Sequence, residues 1–330
     1  VTNLWSQSSE ILEWEGKNSS EMDRLNYRIE QFLCASVTRD EQNNRKLKML
    51  SHLRGLLSKV MEETKSTLDL TGSSFCNLSA LNSNLDVFIE SSKGRVDQEL
   101  FINALKKEGV IIRKFSGVGS FHTEITNEIT DGRSMDVSFH VNPPTRYMSS
   151  VYRMADNQDE RVAALAMTLK AWRILDASCI TAKLKSYHLM IMLIHFLQCG
   201  VSPPVLPSLS LHYPILHPTS YRLHINDVVH PVPCENLQSN ASLLIGFFTY
   251  FSQFEFDEYV ISIREGCLYK RNLMVDRENK RMLIEHPFYA FQSKPNDVVS
   301  PVDFAPVRAA CKRALTSLTT TFNLPSVPNL

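Results

Sequence analysis

The sequence predicts an α/β domain followed by a larger, helix-rich domain. In residues 66–150, short apolar runs that suit strands alternate with an amphipathic helical pattern, which is typical of a sheet with a helical layer. From Asp159 onward, apolar residues follow the helical period over long segments. Residues Tyr187–Leu197 are almost wholly apolar, as expected of a helix that is buried on all sides. The 330 residues are enough for two domains of ordinary size.

Composition limits the class of protein. Lys and Arg number 35 and so do Asp and Glu, so the chain has no global positive field that would attract nucleic acid, and any such binding would need local basic patches. The seven cysteines are scattered without a C-x-x-C spacing, which argues against a disulfide framework or a zinc site and favours a reducing compartment. The apolar run at Met190–Leu197 is too short to span a bilayer. We expect no membrane association and a cytoplasmic location, with cytoplasmic granules or the nucleus as alternatives.

Two amphipathic helices are predicted before residue 66. One begins at Glu21, and the other extends from Leu47 to Met61. The polar stretch Thr38–Asn44 is predicted to be a loop between them. The second helix leads directly into a tight turn at Gly72-Ser73, a pair whose backbone N–H groups suit an anion.

An acidic residue interrupts each of two apolar strands. Asp86 lies in the run Leu85–Ile89, and Asp136 lies in Met135–Phe139. Asp is poorly suited to a buried strand, so each needs a reason to be there. Two such carboxylates beside a Gly-Ser turn form the outline of a magnesium-nucleotide site. The alternative is that both are strand-end residues in solvent.

Further elements follow along the chain. In order, the patterns predict a helix at Leu100–Lys107, strands at Val110–Ile112, Thr123–Thr130 and Met135–Phe139, a helix through Val162–Trp172, a rigid extended connector at Val201–Pro207, a loop or insertion at 210–238, a helix at Ala241–Phe254, extended segments at Val260–Arg264 and Met282–Phe288, and a closing helix at Val302–Leu318.

Three motifs in order resemble those of the polymerase-β-type nucleotidyltransferases: Gly72-Ser73, Ser83–Asp86 and Met135–Phe139. Within that superfamily the chain resembles the cytoplasmic poly(A) polymerases and terminal uridylyltransferases, over roughly residues 20–318. The resemblance implies a small mixed-sheet nucleotidyltransferase domain at 66–150. It also implies a helix-rich central domain of 20–65 and 151–330, with a poly(A)-polymerase-associated segment at about 240–318 and a cleft between the domains.

The same resemblance implies the site residues. Asp86, Asp136 and Asn84 are the implied catalytic and metal-binding residues, and Asn84 and Asp86 should face one pocket because they are two apart on a strand. The carboxylates of the two Asp residues should lie within about 6 Å of each other, and the implied cofactor is Mg²⁺, with Mn²⁺ as a substitute. The implied nucleotide-binding residues are Gly72, Ser73, Lys170, Lys185, Ser186, Tyr187 and Asn296, with Tyr187 stacking on the base.

Each of these residues has a plainer interpretation. Ser73 could serve only as a helix cap, Lys170 as a solvated mid-helix lysine and Tyr187 as a core tyrosine. The chain also departs from the family pattern. The family's second phosphate-binding lysine would fall at Ile174, with Arg173 or Lys185 as possible replacements.

Two further departures bear on base choice and catalysis. Pro295 stands where uridine-specific members carry His, so the choice between UTP and ATP is open. Asn84 stands where the family has its first Asp. One explanation is that Asn84 was introduced in place of a natural Asp to trap substrates, since Asp→Asn is nearly isosteric, and this explanation favours an enzyme.

Two hypotheses for function follow. The first is a template-independent RNA 3′-terminal nucleotidyltransferase that adds UMP or AMP from NTP, with a protein partner supplying RNA specificity. The alternative is a catalytically degenerate relative that acts as an RNA- or protein-binding module. Asn84 and Ile174 favour the alternative, whereas the order of the motifs favours the enzyme.

Overall fold

A computed structural model describes residues 9–36, 39–76, 78, 84–93, 96–114, 120–124, 134–139, 143–175, 184–213, 230–271, 281–285, 287 and 303–324. The chain divides into two compact units. We call residues 36–153 the sheet unit, and residues 1–35, 154–222 and 228–330 the helical unit.

The described elements follow in chain order. They are α1 (Ser9–Lys17), α2 (Ser19–Ser36), α3 (Arg39–Thr64), β1 (Ser66–Leu70), α4 (Gly72–Phe75), β2 (Leu85–Ser91), α5 (Gln98–Lys107), β3 (Ile111–Lys114), β4 (Ser120–Glu124), β5 (Ser134–Phe139), α6 (Pro143–Gln158), α7 (Arg161–Leu175), α8 (Ser186–His195), a π-helical turn (Phe196–Gly200), α9 (Leu209–His212), α10 (Asn240–Gln253), β6 (Tyr259–Val260), β7 (Tyr269–Lys270) and α11 (Phe304–Thr320).

The sheet unit is built on a five-stranded mixed sheet in the order β1-β2-β5-β4-β3. Strands β2 and β5 are parallel, and the other neighbouring pairs are antiparallel. One face of the sheet is apolar: Leu70, Val87 and Ile89 are buried, and α3 packs against β1 and β2. The predicted mixed sheet is confirmed, and its parallel pair joins the two strands that carry Asp86 and Asp136.

The helical unit has an aromatic core. Helix α10 is buried over almost its whole length and packs on α11, α7 and the π-helical turn. Trp172 of α7 meets Phe248 edge to face with ring centroids 4.9 Å apart. Residues His188–His195 of α8 are all buried, as predicted for this apolar helix.

A buried polar network ties α8 and α10 to the extended segment after β6. His195 Nδ1 donates to Ser262 O at 2.7 Å, and the Tyr250 hydroxyl donates to His195 Nε2 at 3.0 Å. Burial lowers the pKa of His195 to about 4, so the ring is neutral and carries its proton on Nδ1. Ser262 Oγ in turn donates to Glu285 Oε2 at 2.5 Å, which links this core to the segment 281–285.

The N-terminal helices belong to the helical unit. Trp14 of α1 stacks on Phe322 at 5.7 Å, and Ser242 Oγ of α10 donates to Glu15 Oε1 at 2.6 Å. Helix α3 differs from the predicted domain boundary, which assigned residues up to 65 to the helical domain. It lies in the sheet unit because its residues Leu53 and Leu57 are fully buried where α3 packs on β1 and α5.

Several local predictions need correction. The predicted loop Thr38–Asn44 is wrong for residues 39–44, which form the start of α3; they include neither Gly nor Pro, so nothing stops the helix. Strand β1 and helix α6 were not predicted. The predicted strand Thr123–Thr130 instead occupies Ser120–Glu124 as far as it is described, and residues 125–130 lie outside the described part. None of the described helices is long and apolar enough to cross a membrane.

Candidate functional site

Gly72 lets α4 approach the acidic strand closely. Its φ is +53°, in the left-handed region that favours glycine. A Cβ atom at this position would lie 3.0 Å from Asp86 Oδ2 and 3.4 Å from Asp86 Cγ. Both the backbone conformation and the space therefore favour glycine, and the turn after β1 can lie directly against the carboxylate of Asp86.

Ser73 contacts that carboxylate directly. Its Oγ donates to Asp86 Oδ2 at 2.9 Å, across 13 residues of sequence. A hydrogen bond to an ionised acceptor is stronger than a neutral one and holds the carboxylate in one orientation. Gly72, Ser73 and Asp86 therefore lie together in the structure, and their roles in binding nucleotide and metal stay predictions.

Buried polar side chains on α3 and α6 also hold α4 in place. The Gly72 N–H donates to Ser149 Oγ at 3.0 Å, Lys46 Nζ donates to Ser74 O at 3.4 Å, and Arg153 donates to Phe75 O at 3.1 Å. Lys46 and Arg153 are 8% and 6% exposed. The first bond satisfies an N–H at the start of the short helix, and the other two satisfy carbonyl groups at its end. These contacts were not predicted, because Ser149 and Arg153 lie on the unpredicted α6 and no local pattern marks Lys46.

The parallel register brings the two acidic strands together. Asp86 of β2 stands opposite Asp136 of β5, although the two residues are fifty positions apart. The side chain of Asp136 lies outside the described part of the structure, so the separation of about 6 Å stays a prediction. Leu85 is buried between half-buried Asn84 and Asp86, which is the alternation expected of a strand and indicates that both polar residues share one face.

The oxygen atoms of the described side chains suit a hard cation as ligands. The carboxylate of Asp86 and the amide of Asn84 offer oxygen ligands, the type preferred by Mg²⁺ and Mn²⁺. Among the described side chains, which do not include that of Asp136, no group of three or more Asp, Glu, His or Cys could hold a metal. A metal site here therefore depends on Asp136 in addition to Asn84 and Asp86.

The other predicted nucleotide-binding residues lie in the helical unit. Lys170 is half-buried on α7, and Ser186 and Tyr187 are half-buried in the first turn of α8, which packs on α7. The N–H groups of a first helical turn lack helical partners and favour anions. Lys185 is exposed just before α8, and its N–H donates to His188 Nδ1 at 3.2 Å.

The replacements considered for the family's second lysine differ in their surroundings. Arg173 donates to Leu184 O at 3.3 Å, which ties the end of α7 to the start of α8, and burial lowers its pKa. Ile174 is 64% exposed, so solvent surrounds the side chain at that position. Asn296 and Pro295 lie outside the described residues. Ser73 and Lys170 lie in different units, and their convergence on one phosphate pocket stays a prediction.

Comparison with known proteins extends these observations. The family model described as Cid1 family poly A polymerase matches residues 240–290. The Poly(A) RNA polymerase gld-2 homolog A of Drosophila melanogaster is 42% identical over 117 residues, which is 33% of this chain and 8% of that protein. The rat Poly(A) RNA polymerase GLD2 is 36% identical over 142 residues, which is 39% of this chain and 28% of that protein. Each match therefore spans less than a third of the relative's own length.

Solved structures resemble the chain over nearly its whole length. The structure of a GLD-2/RNP-8 complex has a TM-score of 0.70 at 22% identity and covers 92% of this chain and 96% of that one. Cid1 in complex with its short product ApU has a TM-score of 0.72 at 20% identity and covers 93% and 97%. Fold, sequence relatives and family model agree. The predicted resemblance is confirmed: part of the chain is similar in sequence to GLD2-type poly(A) RNA polymerases and to the Cid1 family model, and nearly the whole chain is similar in fold to GLD-2 and Cid1 structures.

Proposed function

We propose that the chain is a template-independent RNA 3′-terminal nucleotidyltransferase that uses NTP with Mg²⁺, for which Mn²⁺ can substitute. The observation that carries this proposal is the contact of Ser73 with Asp86 at 2.9 Å, on the strand whose parallel register sets Asp86 opposite Asp136. A Gly-Ser turn against one acidic strand position and beside another is an arrangement suited to a metal-bound triphosphate. The names of the relatives support the same activity.

In the proposed reaction the RNA 3′-oxygen bonds to the α-phosphorus of the NTP. The bond from that phosphorus to the β-phosphate oxygen breaks, pyrophosphate leaves, and the 3′-hydroxyl proton is released. Asp86, Asp136 and Asn84 would hold the metal ion. When bound, Mg²⁺ supplies neutralisation of the triphosphate charge and a lower pKa for the attacking hydroxyl.

The chain's own residues bind and orient the nucleotide. With nucleotide bound, the Ser73 hydroxyl would leave Asp86 Oδ2 and donate to a phosphate oxygen, because it has only one proton to donate. The Ser186 hydroxyl would donate to phosphate as well, and Lys170 would add a positive charge. Tyr187 would stack on the base, a contact that tolerates any base. The relatives matched by sequence are named poly(A) RNA polymerases, which supports ATP as donor, whereas the Cid1 structures are of a poly(U) polymerase, so UTP is tested with it.

The RNA 3′ end is the proposed acceptor, and a protein partner is proposed to supply RNA specificity. Support for a partner comes from the structure of a GLD-2/RNP-8 complex, which contains a chain of similar fold. The formal net charge of zero also leaves little general attraction to RNA, so a partner would add what the chain lacks. The cytoplasmic location stays a prediction.

Asn84 favours a second candidate, the catalytically degenerate binding module. An amide keeps one oxygen ligand but loses the negative charge of a carboxylate, and that charge helps to offset the charge of bound cations. As the sequence stands, we therefore expect the chain to bind NTP and to extend RNA very slowly.

Primer extension on labelled RNA tests the two candidates. The chain and its Asn84→Asp variant are each assayed with ATP, UTP, CTP and GTP, in Mg²⁺ and in Mn²⁺. Asn84→Asp should raise the rate of tailing by about 10²–10³, the typical value of one transition-state contact. In the Asn84→Asp background, Asp86→Asn is the matched control and should remove the gain. An Asn84→Asp variant that is inert with every nucleotide, yet still binds RNA, would establish the binding module instead.

A further inference from the structure

Ser74, the neighbour of Ser73, contacts the backbone of the acidic strand rather than its carboxylate. It is 0% exposed. Its Oγ accepts from the Asp86 N–H at 2.9 Å and donates to Asn84 O at 3.4 Å. A hydroxyl has one donor and two acceptor positions, so it can make both bonds at once. One buried side chain thus links α4 to the two residues whose side chains would hold metal.

The Asp86 N–H depends on this hydroxyl because the β1–β2 pairing ends beside it. The Thr71 N–H still donates to Asp86 O at 3.0 Å, as in a continued antiparallel pair. In such a pair Asp86 would donate back to Thr71 O. That carbonyl instead accepts from the Phe75 N–H at 3.1 Å, because the chain has turned into α4. Ser74 Oγ therefore accepts from the Asp86 N–H in place of Thr71 O. This bond extends the hydrogen bonding of β2 by one residue.

The backbone of Ser74 is itself held in place. Lys46 Nζ, which is buried on α3, donates to Ser74 O at 3.4 Å. The Ser74 hydroxyl therefore has a fixed position, and its two hydrogen bonds set the orientation of residues 84–86. Loss of the Ser74 hydroxyl would remove this partner of the part-buried Asp86 N–H and let the strand end shift.

We propose that Ser74 is a positioning residue, which sets the Asn84 and Asp86 side chains for metal binding by holding the backbone on both sides of Leu85. This inference rests on the proposed function for its catalytic consequence but not for its structural one. It differs from the role of Ser73, whose hydroxyl touches the carboxylate itself. A displacement of about 1 Å at a catalytic group can cost about 10²-fold in rate.

Amide hydrogen exchange tests the structural part without reference to activity. In Ser74→Ala, exchange at the Asp86 N–H should accelerate at least tenfold, while Val87 and Ile89 keep their protection. Ser150→Ala is the matched control, since Ser150 is also buried and its Oγ bonds Arg146 O within α6. Unchanged exchange at Asp86 would overturn the proposal, and so would a loss of protection spread evenly over the sheet unit.

Kinetics in the Asn84→Asp background test the catalytic part. Ser74→Ala should lower kcat by about 10²-fold and weaken Mn²⁺ binding about tenfold, with KM for NTP within twofold. An equal loss in Ser150→Ala would overturn the positioning role.

A second variant serves if Ser74→Ala does not fold. Ser74→Cys, whose sulfur is a weak acceptor, should give exchange and kcat values intermediate between Ser74→Ala and wild type, and wild-type values in that variant would overturn the proposal. If Asn84→Asp extends no RNA, the proposed function fails, and the Asp86 exchange and Mn²⁺ affinity still decide the role of Ser74.

Discussion

Single residues set the chemistry that this chain can perform. The Ser73 hydroxyl and the Asp86 carboxylate form a direct contact within the sheet unit. Lys170 offers positive charge, and the first turn of α8 offers the N-terminal end of a helix, within the helical unit. Ile174 follows Lys170 by four residues, so the two lie on one face of α7, and its 64% exposure means that a longer polar side chain fits there.

Substitutions on this face of α7 should change NTP affinity in opposite directions. Lys170→Ala removes the charge-assisted contact to phosphate that we propose and should weaken NTP binding by about tenfold, equivalent to about 1.4 kcal/mol. Ile174→Lys adds a positive charge on the same face and should tighten binding. Calorimetric titration with ATP and UTP measures both, and the exposed helical residue Lys312 gives the control Lys312→Ala. Equal affinities in all four proteins would assign Lys170 a solvated, structural role.

At the scale of the element, α4 is a short helical turn made of residues with specific tasks. Gly72 supplies the conformation and the space, Ser73 contacts the carboxylate, and Ser74 bonds the strand backbone. Arg153 holds the far end through Phe75 O and lies over the Phe75 ring at 5.3 Å. Four consecutive residues thus connect the acidic strand to α3 and α6.

Gly72→Ala should destabilise the protein and lower tailing together. The new Cβ meets Asp86 Oδ2 at 3.0 Å in a left-handed backbone conformation, and strain of this kind costs about 1–3 kcal/mol. Gly55 on α3 is the matched control, because a Cβ there meets nothing within 4 Å and Gly55→Ala should be neutral or stabilising by about 0.5–1 kcal/mol. Urea unfolding and primer extension in the Asn84→Asp background measure both effects. If the two substitutions behave alike, the close approach to Asp86 is not required.

At the scale of the whole molecule, the chain consists of two units with different cores. The sheet unit buries aliphatic residues and Phe101 between the sheet and helices α3 and α5. The helical unit buries aromatic side chains around α10 together with the neutral ring of His195. Trp14 and Trp172 both lie in the helical unit, so their fluorescence reports its unfolding separately.

The free energy of unfolding of the helical unit should fall as pH drops from 6.5 to 4. His195 has a folded pKa of about 4 against 6.5 for the free side chain. Over this range the unfolded state binds more protons, so acid favours unfolding by up to about 3 kcal/mol. Tyr250 and Cys199 beside the ring do not contribute to this pH dependence, because burial raises the pKa of both and neither loses its proton between pH 4 and 6.5. Tryptophan-detected urea unfolding at several pH values should show this slope, and His195→Gln should reduce it; equal slopes would exclude His195 as the cause.

Local sequence pattern was enough to predict several elements. Helices α2, α5, α7, α8, α10 and α11 were predicted because the period of their apolar residues is set by near neighbours. Strands β2 and β5 were predicted for the same reason, and each Asp within them signalled a site. Strand β1 was missed although its burial alternates, because five residues between a helix and a turn carry a weak local signal.

By itself, the sequence determined the helical and strand periods, the Gly-Ser turn and the acidic positions, since each depends on residues within a few places of one another. Only the tertiary structure decided which strands pair. The parallel register of β2 with β5 sets Asp86 opposite Asp136, and the end of the β1–β2 pairing assigns the Asp86 N–H to Ser74. It also placed α3 with the sheet and two buried cations, Lys46 and Arg153, at α4. Such pairings arise from burial of surface and hydrogen bonds across distant segments, which no local pattern encodes.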